Sequence, residues 1–204
     1  MEYAEVVRRR RMVRNYDPDR DVPPQTVRKL LEYAIHAPSA GFSQGWHFLV
    51  LASADECAMF WRATDMGDMD SWLAGMQNAP VLIVAFSDKD TYLDRYAEDD
   101  KGWTDRSEAH WPVPYWDIDT GMAALLIMLG AVDEGLASCF FGVPPDRVDA
   151  VRSAFGVPDR LRPVGVVSLG YRAPDVRSPS LRRGRRGLES VVSVGRYGTA
   201  LADG

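Results

Sequence analysis

The sequence predicts one domain of the α+β class. Apolar runs of strand length stand at Trp46–Ala52, Val81–Phe86 and Val164–Leu169. Segments of helical period lie between them, but strands and helices alternate imperfectly, which argues against a doubly wound parallel sheet. The longest helical pattern, Trp116–Leu136, sets Ile118, Met122, Leu125, Leu126, Leu129, Val132 and Leu136 at intervals of three and four. Ala123, Ala124 and Ala131 add small apolar surface to it. A helix apolar around so much of its circumference is buried, either as the central helix or in a subunit interface.

The remaining elements follow from local signals. Residues 3–12 read as a helix, with Ala4, Val6 and Val7 among charges. Asp17-Pro18-Asp19 and Pro23-Pro24 are turns, and Pro24 suits the first turn of a helix over 24–37. There Val27, Leu30, Leu31, Ala34 and Ile35 recur at helical spacing. Two helices fill 54–78, and a short strand near Ser138–Phe141 precedes a helix from Pro145 to Phe155. After Gly170 the chain is rich in Arg, Pro, Ser and Gly, and Val191-Val192-Ser193-Val194 is a strand-like piece without a nearby partner. An arm over 172–204 that pairs with another subunit fits this pattern. The single domain spans 1–204, with no repeat and no low-complexity tract.

Composition excludes several classes. With 46% hydrophobic residues in a chain of 204, a substantial core is expected. Cys57 and Cys139 lie far apart without CxxC spacing, which fits a reducing cytoplasm rather than a disulfide scaffold. The Arg-rich start leads into Asn15-Tyr16-Asp17-Pro18-Asp19 instead of the apolar stretch of an export signal. No run approaches the roughly 20 apolar residues of a membrane span. A net charge of −5 argues against nucleic acid as a partner. His36, His47 and His110 show no HxH or HExxH spacing, so no metal site is expected. GxSxG, GxxxxGK[ST] and GxGxxG are all lacking.

What remains is an anion site beside a flat-ligand site. Arg8, Arg9, Arg10, Arg11 and Arg14 crowd into seven positions, and Arg177, Arg182, Arg183, Arg185 and Arg186 form a second cluster. Ten of the 24 basic residues of an acidic chain are thus concentrated near its ends. Guanidinium forks bind phosphate bidentately, and on a helix Arg10 and Arg14 would share a face. A solvated basic face is the plainer account of these clusters. The segment Ala37-Pro38-Ser39-Ala40-Gly41-Phe42-Ser43-Gln44 is a small-residue bend that exposes backbone N–H groups, with Ser39 and Gln44 as further partners. The run from Gly135 to Gly142 ends the long helix and opens a strand, which would present a backbone N–H from Phe140, Phe141 or Gly142 to a ring nitrogen. Tyr92, Tyr96, Trp103, Trp111, Tyr115 and Trp116 sit in a polar, loop-rich stretch, as a lid over a planar substrate or as interface packing.

Taken together these pieces resemble the nitroreductase family over nearly the whole chain. The resemblance is carried by Arg10-Arg11-Met12-Val13-Arg14-Asn15-Tyr16; by Ala37-Pro38-Ser39-Ala40 through Gln44-Gly45-Trp46; and by Trp116-Asp117-Ile118-Asp119. Gly135-Leu136-Ala137-Ser138, Val164 to Gly170-Tyr171, and Arg183-Gly184-Arg185-Arg186 complete it. None is specific alone; their order along the chain is. Met12 stands where the family usually has Ser, Phe42 where it often has Asn, and Gly45 where it often has Pro.

The resemblance implies a mostly antiparallel sheet flanked by helices, and a homodimer with two FMN molecules at the interface, the C-terminal segment of one subunit extending the sheet of the other. It implies that Arg10, Arg11, Met12 (through its backbone), Arg183 and Arg185 meet the FMN phosphate. Arg14 would reach the ribityl chain or pyrimidine edge. Pro38, Ser39, Ala40 and Gln44 would line the ring, and Phe140, Phe141 and Gly142 would face N5. Gln77 and Asn78 stand in as flavin-edge amides. NADH or NADPH would be the donor and a nitro, quinone or enone compound the acceptor, with no catalytic side chain required. A flavin-dependent desaturase and a non-catalytic flavin or deazaflavin carrier are the alternatives.

Overall fold

A computed structural model describes residues 1–64, 71–174 and 178–201. Strand β2, here numbered in chain order, is the centre of the fold. The elements before it are helix α1 (Tyr3–Arg9), α2 (Pro24–Ala34), strand β1 (Trp46–Leu51), α3 (Ala54–Thr64) and α4 (Ser71–Met76). Then come β2 (Val81–Asp88), α5 (Lys89–Tyr96), α6 (Tyr115–Asp133), β3 (Ala137–Phe141), α7 (Val148–Phe155) and β4 (Leu161–Gly170). The sheet runs β1-β2-β4-β3 with every neighbour antiparallel. This is the α+β architecture expected from the sequence.

Side chains of a strand alternate between faces, and β2 buries both. Val81 and Ile83 join Leu30, Ile127, Val167 and Leu169 under α2 and α6. Leu82, Val84 and Phe86 join Phe60, Val151 and Val166 under α3 and α7. The result is three layers, with helices on both sides of the sheet. A register shift at Ala85/Phe86 lets Pro163 lie in β4, where an unbroken ladder would need its missing N–H.

Local chemistry sets the element ends. Ser53 and Glu56 form a capping box at α3: Glu56 N–H donates to Ser53 Oγ at 3.3 Å, and the Glu56 carboxylate accepts from Ala52 and Ser53 N–H at 3.0 Å each. These backbone bonds hold the Glu56 carboxyl below its ordinary value. Helix α6 closes in a Schellman turn: Gly135 at φ +74° allows Leu136 N–H to reach Ala131 O at 2.7 Å and Gly135 N–H to reach Val132 O at 3.1 Å.

Three expectations change, and the arm keeps the character expected of it. The first helix stops at Arg9, and Arg10 has φ −54°, ψ 127°. The chain turns there because Met12 bridges Ser138 in parallel alongside β3, so Arg10 and Arg14 do not share a helical face. Helix α2 ends at Ala34 rather than 37, ahead of Pro38. The stretch after β2 begins with a helix, α5, capped by Asp88 through Asp90 N–H at 3.1 Å. Val191–Val194 forms no strand within this chain; a 3₁₀ turn covers Leu188–Ser190 and the residues after it are exposed or half-buried.

Contrary to the sequence reading, α6 is long and apolar enough, by length and composition, to cross a membrane. It packs instead as a core helix. Ala123, Ala124, Ile127 and Ala131 face the sheet and α2, while Ile118 and Leu125 stay exposed on the other side. The reading of this helix as the central helix of the domain therefore fits its buried face. Truncating the buried face of β2 tests the layering: Ile83→Ala is expected to cost about 2–5 kcal/mol, read as a lower denaturant midpoint at unchanged slope.

Candidate functional site

The N-terminal arginines meet different fates. Arg8 and Arg9 are exposed, and Arg9 pairs with Glu5 at 2.9 Å. Arg11 Nη1 folds back onto the carbonyls of Arg8 and Arg10, the latter at 2.9 Å, and so caps the end of α1. Arg14 Nη1 donates to Met12 O at 3.4 Å. Arg10 differs from all of these: its Nη1 is buried and has no hydrogen-bond partner. Trp61 Nε1, Trp111 Nε1 and Ser138 Oγ share that condition. A cationic donor without an acceptor is the most costly of the four, because charged groups lose more on desolvation than neutral ones.

Met12 ties this segment to the strand expected to face the ring. Val13 N–H donates to Ser138 O at 3.0 Å, and Phe140 N–H donates to Met12 Sδ at 3.4 Å. The Phe140 amide is therefore already occupied. The Phe140 ring covers Gly165, where an added Cβ would lie 2.2 Å from Cζ. Phe141 stacks on Trp61 with centroids 5.6 Å apart, and Gly142 is exposed at the strand end.

The bend at 38–44 is a strained, internally bonded loop. Gly41, Phe42 and Gln44 all have φ between +54° and +60°, which non-glycine residues seldom adopt. Ser39 Oγ accepts from Gln44 N–H at 3.0 Å, and Ser43 Oγ donates to Ala40 O at 2.7 Å. Ala40 N–H donates to Asp119 Oδ2 at 2.8 Å. The expectation of free amides fails here, because Asp119 and Ser39 consume two of them. Pro38, Phe42 and Gln44 form an exposed rim, and Phe42 is 75% accessible.

The aromatic residues after β2 pack mainly on one another. Trp111 touches Tyr92, Tyr96, Trp103, Tyr115 and Trp116 at centroid distances of 4.5–6.0 Å. Arg95 fixes the loop beyond α5 by two bonds to Asp100 at 2.6 and 2.8 Å. The group is a small aromatic core seated beside the 38–44 bend.

The basic arm is exposed. Arg182 and Arg183 lie on the 3₁₀ turn Pro179–Arg183, Arg185 follows it, and Arg186 bonds Ser190. Arg177 lies outside the described residues. Within one chain no described hydrogen bond joins Arg183 or Arg185 to the Arg10 segment. Gln77 and Asn78 line a cavity of about 480 Å³ with Pro18, Asp21, Cys57 and Trp61. Among the described residues no cluster of His, Cys, Asp and Glu suits a metal.

Sequence reasoning missed Arg95, named Asp119 only within a family motif, and took Tyr92 only as a lid or interface aromatic. The available signal for Asp119 was a carboxylate in the first turns of a helix that is otherwise mostly apolar, which burial makes unfavourable unless something bonds it.

Comparison with known proteins identifies the class to which this fold and site belong. The nitroreductase family model matches residues 7–171. A protein of Methanothermobacter thermautotrophicus provisionally named NADH dehydrogenase/NAD(P)H nitroreductase is 30% identical over 85% of this chain and 78% of its own length. One of the same name from Archaeoglobus fulgidus is 31% identical over 83% and 85%. Among solved structures, a nitroreductase family protein of Clostridium difficile 630 superposes with TM-score 0.72 at 27% identity, covering 96% of this chain and 99% of that one. A provisionally named nitroreductase of Exiguobacterium sibiricum, solved in complex with FMN, shares the fold at TM-score 0.66 and 24% identity, covering 92% of this chain and 98% of its own. The chain belongs to the nitroreductase family and is an oxidoreductase.

Cys57 takes no visible part in this chemistry. Burial pushes its thiol up to about 11. Alkylation by iodoacetamide is expected to be negligible at pH 8 in the folded protein, to accelerate only as pH nears that value, and to be rapid at pH 8 once the chain is unfolded.

Proposed function

We propose that the protein is an FMN-dependent NAD(P)H oxidoreductase acting on an oxidised organic substrate of the nitro, quinone or enone type. The observation that carries this reading is the buried, partnerless Nη1 of Arg10, a cationic donor in need of an anion. A mononucleotide phosphate satisfies it. The FMN bound by the Exiguobacterium sibiricum relative and the names of the two archaeal relatives support the choice of ligand and donor.

Arg10 holds the phosphate, and Arg14 reaches toward the ribityl chain or pyrimidine edge. Arg11 is the weaker contributor because its guanidinium already caps α1. Met12 supplies backbone and keeps Phe140 in register. Gly142, exposed past the occupied amide of Phe140, is the better placed to face N5 together with Phe141. A second copy of the chain brings Pro38, Ser39, Ala40 and Gln44 against the ring, and the arm brings Arg183 and Arg185 to the phosphate. The exposed apolar residues Ile118 and Leu125 of α6, with Phe42, supply surface for that pairing. When bound, FMN would supply the hydride transfer between the reduced nicotinamide and the second substrate. Arg14 at the pyrimidine edge would favour negative charge on the reduced ring, and no side chain is assigned a proton transfer.

The purified protein is expected to be yellow and to release FMN on acid treatment. Colourless protein that FMN does not stabilise against heat overturns the proposal. Arg10→Ala is expected to weaken FMN binding by about 1.5–3 kcal/mol, measured by flavin fluorescence titration, and Arg11→Ala by clearly less. Equal losses from the two substitutions contradict the assignment of Arg10 as the phosphate ligand.

A further inference from the structure

Asp119 is 2% exposed, the one buried carboxylate of the mostly apolar helix α6. Its Oδ2 accepts two hydrogen bonds of 2.8 Å, one from Ala40 N–H in the strained bend and one from Tyr92 Oη on α5. Tyr92 is itself fully buried, and burial together with the Asp119 charge pushes its hydroxyl well above the ordinary range, so it remains a donor. The carboxylate joins three elements that are separate in sequence.

Helix α5 grips the same bend with one face. Tyr92, Arg95 and Tyr96 are three and four positions apart. Arg95 Nε donates to Gly41 O at 3.0 Å. A Cβ on Gly41 would lie 2.6 Å from Tyr96 Cε2, and one on Gly45 would lie 2.5 Å from Tyr92 Cε2 and 2.8 Å from Asp88 O. The same two tyrosines carry the aromatic core on their far side, through Trp111 and Trp103. Movement in the 89–116 excursion is therefore coupled to a bend that holds left-handed Phe42 and Gln44 in place.

We propose that Asp119 is a positioning residue: through Ala40 and Tyr92 it fixes the 38–44 bend, and the 89–116 excursion thereby controls how the ring is held without touching it. This rests on the flavin reading given above.

Hydrogen exchange and FMN titration test this together, on the protein as purified. Asp119→Ala is expected to speed exchange of the Ala40 amide about tenfold or more while β2 amides stay protected, and to weaken FMN binding about 5–30-fold with an altered visible flavin spectrum. Asp119→Asn keeps an acceptor oxygen and is expected to recover most of both. If Asp119→Ala does not fold, Tyr92→Phe, which removes one hydroxyl, must move the exchange rate and the FMN dissociation constant in the same directions. Faster Ala40 exchange with unchanged FMN affinity and spectrum overturns the positioning role. Lost FMN affinity with Ala40 still protected overturns the route through the bend. Wild-type protein that takes up no FMN sinks the flavin reading instead, and the fixing of the bend is then decided by exchange alone.

Discussion

Strand β2 has no solvent face, and most of the architecture follows from that. Seven consecutive residues, Val81 to Ser87, are buried. A strand in that condition needs a partner on each edge and an apolar layer on each side. β1 and β4 satisfy its backbone, and the α2/α6 and α3/α7 pairs cover its side chains. The segment before Tyr16 is drawn into the same arrangement. Tyr16 is fully buried, and its hydroxyl bonds Val13 O at 2.9 Å and Ser168 Oγ at 2.7 Å. That anchor lays residues 10–14 along β3. The core thus decides where the arginines stand, although none of them belongs to it.

Position along β3 then separates residues that look alike in sequence. Arg10 and Arg11 are neighbours of the same chemistry. Because the helix ends at Arg9, one guanidinium folds back onto the terminal carbonyls and the other keeps a buried Nη1 without an acceptor. The helix end is fixed by the Met12–Ser138 bridge, a contact across more than a hundred residues. A local reading of periodicity runs through Arg10 and cannot register it.

The other limits of legibility have the same origin. Strands β1, β2 and β4 and helices α2 and α6 announce themselves by apolar runs or period; β2 and β4 are buried along most of their length, whereas β1 fully buries only Leu51. Helix α5 buries only Tyr92 and Leu93 among Lys, Asp and Arg, so its period is faint. Val191–Val194 is apolar enough for a strand but pairs with no strand of this chain. The family motifs located the arginine segment and the 38–44 bend. They did not show that the amides of the bend are already bonded, since the acceptor for Ala40 lies 79 positions away on α6. Nor did they show that Met12 replaces a hydroxyl with a sulfur that accepts the Phe140 amide.

The bend itself shows why such distant groups are needed. Left-handed backbone at a non-glycine residue costs on the order of 1–3 kcal/mol, and Phe42 and Gln44 each adopt it. A hydrogen bond to a carboxylate is worth about 1.5–3 kcal/mol, and a neutral one about 0.5–1.5. The bonds within the bend from Ser39 and Ser43 are neutral and partly solvated, so they offset only part of the strain. The Asp119 bond to Ala40 and the Arg95 bond to Gly41 both involve an ionised group, and they are of the size required. Both come from outside the bend, one from the core helix and one from α5. A loop that small cannot hold this shape alone, so its conformation is a property of the packing between α5 and α6.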